Sequence, residues 1–414
     1  MGYIVGRNHA AHIHPVSDGG PPAPPEYTVE QSHPLRRARE ALNNLFSRHN
    51  DPDEIYVPDA NRPVQISMEN QRVNVGWGDA VNEKSPTTTR LYAMNVNGLS
   101  LNARGGQFDT LCRIAREVQA DILCWQETNN VDTSQPLVRN ILYQTARQHW
   151  QRVRMVLGST PTRFTSMYKP GGTLAVSMRN ITGCLLTSEA DKWGRWTSQT
   201  FRGQRGLKIT VISAYQVVRD AQGQGVFTAA LQQRSLLLLA QDPITDPRQA
   251  FKRDLTSYIQ QCQAQGEEMI LLGDFNEKLG DDPAGIESIA HGCGMITLMK
   301  TRHTTTPPAT FTRGRDCIDY GFGTHHVSQA LLRCGYEAFS ERFSTDHISY
   351  FFDFNDEKLF GTQTPGLASP ANRILKSKNT KQVTKYIKDK FDYLQQCNAF
   401  NRSRRLTFPG NWHQ

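Results

Sequence analysis

From Arg90 onward, short apolar runs alternate with segments in which apolar residues recur every three or four positions. The first pattern predicts strands at residues 90–95, 121–126, 152–157, 173–178, 207–214 and 268–273, with late strands at 317–321 and 347–354. The second predicts a helix over 107–118, where Phe108, Leu111, Ile114, Ala115 and Val118 share one face, and further helices near 228–240 and 248–265. Hairpins mixed with helical crossovers imply mixed sheets covered by helices, not a simple doubly wound sheet. No internal repeat is visible.

The flanks read differently. Residues 18–27, DGGPPAPPEY, are rich in Pro and Gly, and the first 87 residues hold few contiguous apolar stretches, so little would offset the cost of ordering them. One exception is 35–49, where Leu35, Ala38, Leu42, Leu45 and Phe46 lie opposite Arg36, Arg37, Arg39 and Arg48. It reads as a helix covering the domain in preference to a docking helix. His9, His12 and His14 have no acidic or Cys partner nearby and read as surface residues. Beyond Phe354, Pro365, Pro370 and a Lys-rich stretch at 376–390 suggest one helix with loose flanks. The expected organisation is a loosely ordered region over 1–87, a catalytic domain over 88–354 and a basic tail over 355–414.

Composition narrows the class. A chain of 414 residues with 38 % hydrophobic and 21 % charged residues can fill a real core, which excludes wholesale disorder, collagen and a small disulfide scaffold. No run approaches the roughly 18 apolar residues of a membrane helix. The N-terminus MGYIVGRNHA lacks a basic-then-apolar leader and has Gly6 where a myristoylation signal wants Ser or Thr, so an intracellular protein is expected, nuclear if its substrate is chromosomal. Its eight cysteines are scattered without a C-x-x-C pair, against a zinc module or disulfide framework. The net charge of +8 is uneven: residues 1–85 carry −3, 86–354 carry +4 and 355–414 carry +7. A basic tail beside a nearly balanced domain fits a polyanionic partner, though solvated Lys-rich tails are common.

The polar residues that could do chemistry sit at strand ends. LYAMNVNGLS places Asn95 and Asn97 there, DILCWQETNN places Glu127, VISAYQVV places Tyr215, MILLGDFNEKLG places Asp274 and Asn276, CIDYGF places Asp319, and STDHISYFF places Asp346 and His347. Strand ends of a packed sheet converge on one face, so a single polar site is expected. Its donors are hard oxygens plus one histidine. Glu127, helped by Asn97 and Asp346, suits Mg²⁺, with Mn²⁺ the alternative, and the missing Cys ligands argue against zinc. An ion with few protein carboxylates reaches for phosphate. Asp274, helped by Asn276, could then orient or deprotonate water, and His347, held by Asp319, could donate to a phosphoryl oxygen.

The ordered series N-x-N-G, Q-E, a Tyr after a strand, G-D-F-N, I-D-Y and D-H resembles the endonuclease/exonuclease/phosphatase superfamily over residues 88–354. The resemblance implies an α+β fold, a four-layer α/β/β/α sandwich of two mixed sheets flanked by helices. It implies catalytic roles for Asn95, Tyr215, Asp274, Asn276, Asp319 and His347, and metal roles for Glu127, Asn97 and Asp346. In motif detail the chain is similar to the apurinic-endonuclease-like nucleases of non-LTR retrotransposons: it reads N-V-N-G-L, Gln126-Glu127-Thr128-Asn129 replaces the Q-E-T-K of cellular abasic-site enzymes, and ATFTRGRDCIDY lacks the Trp that lines their sugar pocket. Two departures stand out. Tyr215 is followed by Gln216-Val217 without the family proline, and Thr345 replaces the frequent Ser before Asp-His. No Y-x-D-D sequence follows, so the expectation is a separate reading frame, a truncated element or a domesticated nuclease.

The leading expectation is a Mg²⁺-dependent, DNA-nicking endonuclease. Lys376, Lys378, Lys381, Lys385, Lys388, Lys390, Arg402, Arg404 and Arg405 of the tail would add contacts to the polyanion. The alternatives are a phosphatase or phospholipase acting on a small phosphate ester, an abasic-site repair enzyme, and a catalytically idle nucleic-acid-binding relative.

Overall fold

The computed structural model describes residues 76–99, 106–129, 136–160, 170–219, 228–280, 282–339, 342–362, 379–396 and 398. The expected helix at 35–49, the Pro-rich stretch, Lys376, Lys378, Arg402, Arg404 and Arg405 lie outside them. In order come β1 (Trp77–Gly78), β2 (Thr88–Asn95), α1 (Gly106–Glu117), β3 (Ile122–Gln126), α2 (Pro136–His149), β4 (Val153–Gly158) and β5 (Thr173–Met178). A 3₁₀ turn leads to β6 (Leu185–Ala190), β7 (Trp196–Arg202), β8 (Lys208–Tyr215), α3 (Ala229–Leu239), α4 (Pro247–Ala264) and β9 (Glu267–Asp274). Then follow α5 (Ile286–Gly292), β10 (Met295–Thr297), α6 (Leu298–Arg302), β11 (Asp319–Thr324), α7 (His325–Ala330), β12 (Leu331–Tyr336), β13 (Tyr350–Asn355), α8 (Asp356–Phe360) and α9 (Thr380–Gln396).

These strands make two mixed sheets, one in the order β1-β12-β13-β2-β3-β5-β4 and the other in the order β10-β11-β9-β8-β7-β6. Each sheet has one parallel pair, β2 with β3 and β8 with β9. Alternation along the strands explains the layering. Leu91 and Ala93 of β2, with Ile122 and Cys124 of β3, share a core with Ile270 and Leu272 of the other sheet and with Phe251 and Leu255 of α4. The opposite faces of β2 and β3, Tyr92, Met94, Leu123 and Trp125, share a second core with Phe108 and Leu111 of α1 and Leu142 of α2. The result is a four-layer sandwich of two mixed sheets flanked by helices. Among the described residues no helix is long and apolar enough to cross a membrane.

Two boundaries differ from the sequence expectation. Trp77 and Gly78, inside the stretch expected to be loose, pair with Tyr336 and Gly335 at the sheet edge. Asp79 fixes this edge: its carboxylate accepts from both Nε and Nη2 of Arg302 and from the Cys334 amide, and His303 Nε2 lies 3.2 Å away. At the other end, α8 lies past residue 354 and buries Leu359 and Phe360 in the main core. Strands β6, β7 and β12 were not legible, because β7 is largely Thr, Ser and Gln and β6 exposes most of its residues.

One charged row crosses the first sheet. Arg333, Asp353 and Arg90 are register neighbours on β12, β13 and β2. Arg90 reaches Asp353 with Nε at 2.7 Å and Nη2 at 2.8 Å, Arg333 Nη2 approaches it at 2.7 Å, and Asp353 has no exposed surface. The Arg90 guanidinium also donates to the carbonyls of Val118 and Asn82, tying α1 and the β1–β2 loop to the sheet. Removing one partner of such a group leaves uncompensated buried charge. Asp353→Ala should therefore cost about 3–5 kcal/mol in urea unfolding; a loss below about 1 kcal/mol would show that the row is not a structural tie.

Candidate active site

Strand register assembles the site. In the second sheet Tyr215 of β8 and Asp319 of β11 both stand opposite Asp274 of β9, so one row of three strand ends carries a hydroxyl and two carboxylates. In the first sheet Asn95 stands opposite Gln126, which brings Glu127 in as the next residue. Asn95 and Gln126 continue the alternation of Leu91, Ala93, Ile122 and Cys124, so they face the other sheet, where Gln126 Nε2 donates to Ser213 Oγ at 2.9 Å.

The same local device ends two of these strands. After β2, the Asn97 amide donates to Asn95 Oδ1 at 2.9 Å; after β9, the Asn276 amide donates to Asp274 Oδ1 at 2.9 Å. Both are Asx turns, which Asn and Asp form by bonding the backbone two residues on. Asn97 and Asn276 take φ of 45° and 46°, the left-handed region that Asn tolerates. Glu127 also stands there, at φ 49°, a strain of about 1–2 kcal/mol for a residue without that tolerance. Hydrogen bonds outweigh it. The Gly98 amide donates to Glu127 O, Leu99 to Thr128 O, Thr128 to Gly172 O and Asn129 to Gly171 O, each typically worth about 1 kcal/mol. Gly172 is required in this clamp, because it has φ 89° and a Cβ would lie 2.7 Å from Thr128 Oγ1.

The Asn95 amide holds the centre. Its Nδ2 donates to Glu127 Oε2 at 2.9 Å and Asp274 Oδ2 at 2.8 Å, and lies 3.4 Å from His347 Nε2. The Tyr215 hydroxyl donates to the other Glu127 oxygen. His347 Nδ1 donates to Asp319 Oδ2 at 2.9 Å, leaving Nε2 3.9 Å from Asp274 Oδ2. Asn95, Tyr215, Asp274, Asp319 and His347 are all buried. His347 does not begin a strand: β13 starts at Tyr350, and His347 makes only an isolated bridge to Phe311, which frees its ring to reach Asp319.

Asn97 and Asp346 are placed differently from Glu127. Asn97 is exposed and serves the site through its backbone amide. Asp346 Oδ2 meets the Arg313 guanidinium at 3.3 Å. Lys381, Lys385, Lys388 and Lys390 are exposed on α9, a helix with no buried residue.

Charge and burial set the protonation of the centre. Burial, reinforced by the Asp319 charge, pushes the Asp274 carboxyl up to about 8, although His347 pulls the other way. Burial alone would lower the His347 value, but the Asp319 and Asp274 charges outweigh it and raise it to about 10. The residues also fit a divalent cation. Asp274, Asp319 and His347 bring possible ligand atoms within 4.8 Å of one another, and Asp319 Oδ1 and Asp346 Oδ1 are buried without a hydrogen-bond partner. With Glu127 beside them the donors are mainly hard oxygens, the set that Mg²⁺ or Mn²⁺ takes.

Several supporting residues escaped the sequence reading. Thr310 Oγ1 accepts from the Ile318 and Asp319 amides while its carbonyl accepts from Ile348, joining the two segments that carry Asp319 and His347. Arg248, in the first turn of α4, donates to the carbonyls of Val217 and Asn276 and pairs with buried Glu277 at 3.0 Å. Asn276 Nδ2 donates to Gln216 O at 2.8 Å. This network fixes the path after Tyr215, where the sequence continues Gln216-Val217. An isolated Arg or Thr carries no such signal in sequence; only Glu277, directly after G-D-F-N, could have been suspected.

The Endonuclease/Exonuclease/phosphatase family profile matches residues 93–347, more than half of the chain, and the chain belongs to that family, whose chemistry is phosphate-ester hydrolysis. Among solved structures it is similar to the AP endonuclease LMAP from Leishmania major, at 14 % identity over 66 % of this chain and 89 % of that one, with a TM-score of 0.49. It is also similar to the 3′-5′ exonuclease NExo from Neisseria meningitidis, at 17 % identity over 64 % and 100 % of the two chains, with a TM-score of 0.45. The catalytic domain of Xenopus laevis APE2 is matched at 15 % identity over 68 % and 94 %, with a TM-score of 0.45. No curated protein matches.

The two raised values make a signed prediction. Folded Asp274 and His347 hold protons above the ordinary values of 3.8 and 6.5, so both groups add stability at the acid end and withdraw it as pH rises, Asp274 through about 8 and His347 through about 10. In EDTA, the urea midpoint should fall more steeply between about pH 5 and about pH 8 for the native chain than for Asp274→Asn. Parallel curves would show that Asp274 does not carry the raised titration.

Proposed function

We propose that the chain is a divalent-metal-dependent phosphodiesterase that nicks DNA, of the type carried by non-LTR retrotransposons. One observation carries the reading: a single Asn95 amide bonds carboxylates from both sheets, Glu127 and Asp274, beside a histidine oriented by Asp319. Membership of a phosphate-ester hydrolase family supports the reaction class.

Glu127 would hold the ion, Mg²⁺ or Mn²⁺, with Asn97 and Asp346 adjusting the field around it. Such an ion supplies positive charge to a non-bridging phosphoryl oxygen and to the charge that develops on it. Asp274 orients the attacking water and takes its proton at the carboxylate; a base raised to about 8 is matched to work near neutral pH. The Asn276 amide donates to Oδ1 of that carboxylate and the Asn95 amide to Oδ2, which fixes its orientation. His347, kept in place through Nδ1 by Asp319, donates from Nε2 to a phosphoryl oxygen, and the Tyr215 hydroxyl steadies Glu127.

The exposed lysines Lys381, Lys385, Lys388 and Lys390 on α9 favour a polyanion over a small phosphate ester. Lys376, Lys378, Arg402, Arg404 and Arg405 extend the same charge in sequence. Sequence preference is weak in this reading and follows DNA shape, because the chain carries no readable major-groove module.

Supercoiled plasmid is the substrate to use. The chain should relax it with Mg²⁺ and not with EDTA, and Asp274→Asn should lower turnover about a hundredfold or more, the contribution of a positioned base. His347→Ala should cost about 10²–10³, the loss of one transition-state donor. A chain ending near residue 362, which keeps α8 and its core contacts, should bind DNA with a shallower salt slope. Undiminished nicking in EDTA contradicts the metal role, and hydrolysis of small phosphate esters alone contradicts the DNA substrate.

A further inference from the structure

The turn that precedes Asp319 carries two arginines, Arg313 and Arg315, on either side of Gly314. It is fastened to the catalytic histidine. Phe311 forms a bridge with His347, the Thr312 amide donates to Asp346 O, and the Gly314 amide closes the turn on Phe311 O. The Phe311 and His347 rings lie 5.0 Å apart, and the Arg313 guanidinium carbon sits 5.1 Å from the Phe311 ring centre. The guanidinium therefore lies within about 10 Å of the imidazole, on the exposed side of the turn.

Its present contacts hold it loosely. The Arg313 side chain is 77 % exposed, and its ion pair with Asp346 is a single approach at 3.3 Å. An exposed pair of this kind competes poorly with a phosphate, which a guanidinium meets with two parallel hydrogen bonds. Successive phosphates of one strand advance by about 3.4 Å along a duplex, so an anion one or two nucleotides from the scissile group falls within the reach of this side chain. A small phosphate ester has no second phosphodiester to place there.

We propose that Arg313 is a specificity-determining residue that contacts a phosphate flanking the scissile one, so that the site favours a polynucleotide over an isolated phosphate ester. The proposal rests on the phosphodiesterase reading above and names what makes the same site select a polymer.

The experiment measures kcat/KM on a short DNA duplex and on bis(p-nitrophenyl) phosphate, which carries a single diester, for the native chain, Arg313→Gln and Arg313→Lys. Arg313→Gln should lower the duplex-to-diester ratio about tenfold, the loss of one charge-assisted contact, chiefly through KM. The slope of log affinity against log salt should become shallower by about 0.9, while Arg313→Lys, which keeps the charge, retains the slope. If Arg313 served only to hold Asp346, both substrates would suffer alike and the ratio would not change; that result overturns the proposal. An unchanged salt slope in Arg313→Gln overturns it too, leaving the nuclease reading intact. If the native chain cleaves the diester and neither binds nor cuts the duplex, the DNA reading falls and the proposal falls with it.

Discussion

The Asn95 amide carries two hydrogens, and the site directs them to carboxylates that come from different sheets. Glu127 follows β3 and Asp274 ends β9, so the bonds at 2.9 Å and 2.8 Å join the two halves of the sandwich at its polar end. Two carboxylates this close, one buried and one half-buried, repel unless something neutral and donating stands between them. An amide does this without adding charge, where a lysine or arginine would pair with the carboxylates and compete for the place of a cation. The remaining features follow from that contact. Asx turns aim the ends of β2 and β9 at each other, the clamp through Gly171 and Gly172 keeps Glu127 in a left-handed backbone state, and Asp319 turns His347 toward the same point.

Part of the backbone strain lies where function is expected. Asn97, Glu127, Asn129 and Asn276 all have positive φ, and all lie in the loops that carry the site. Three are Asn, the residue that adopts this state at least cost, and the fourth is the residue proposed to hold the ion. Arg248 and Glu277 carry the load behind the second sheet, where a buried guanidinium joins the segments after Tyr215 and Asp274. The backbone after Tyr215 is thus fixed here by a buried ion pair.

Much of this was legible in the sequence because the site is built from strand ends. Apolar runs ending in Asn, Glu, Tyr or Asp mark both the strand and its exit, and N-V-N and D-F-N are themselves turn signals. The stretches that escaped share a physical cause. Strand β7 is buried yet composed largely of Thr, Ser and Gln, so hydrophobic patterning is blind to it. Trp77 pairs at the sheet edge through backbone contacts that an aperiodic stretch does not advertise, and the bond from the Asn97 backbone amide to Asn95 is not recorded by its side chain. Thr310 and Arg248 act through bonds to distant backbone, which no spacing rule records.

A neutral donor at position 95 holds the two carboxylates in their mutual geometry. Asn95→Asp tests it most directly, since the replacement keeps size and shape while putting a third acid in place of the donor. Plasmid nicking and urea unfolding should be measured together on the same protein. The rate should fall by about 10²–10³, the range for one lost positioned donor, with cooperative unfolding retained. Nicking at the native rate by a folded Asn95→Asp chain would contradict it.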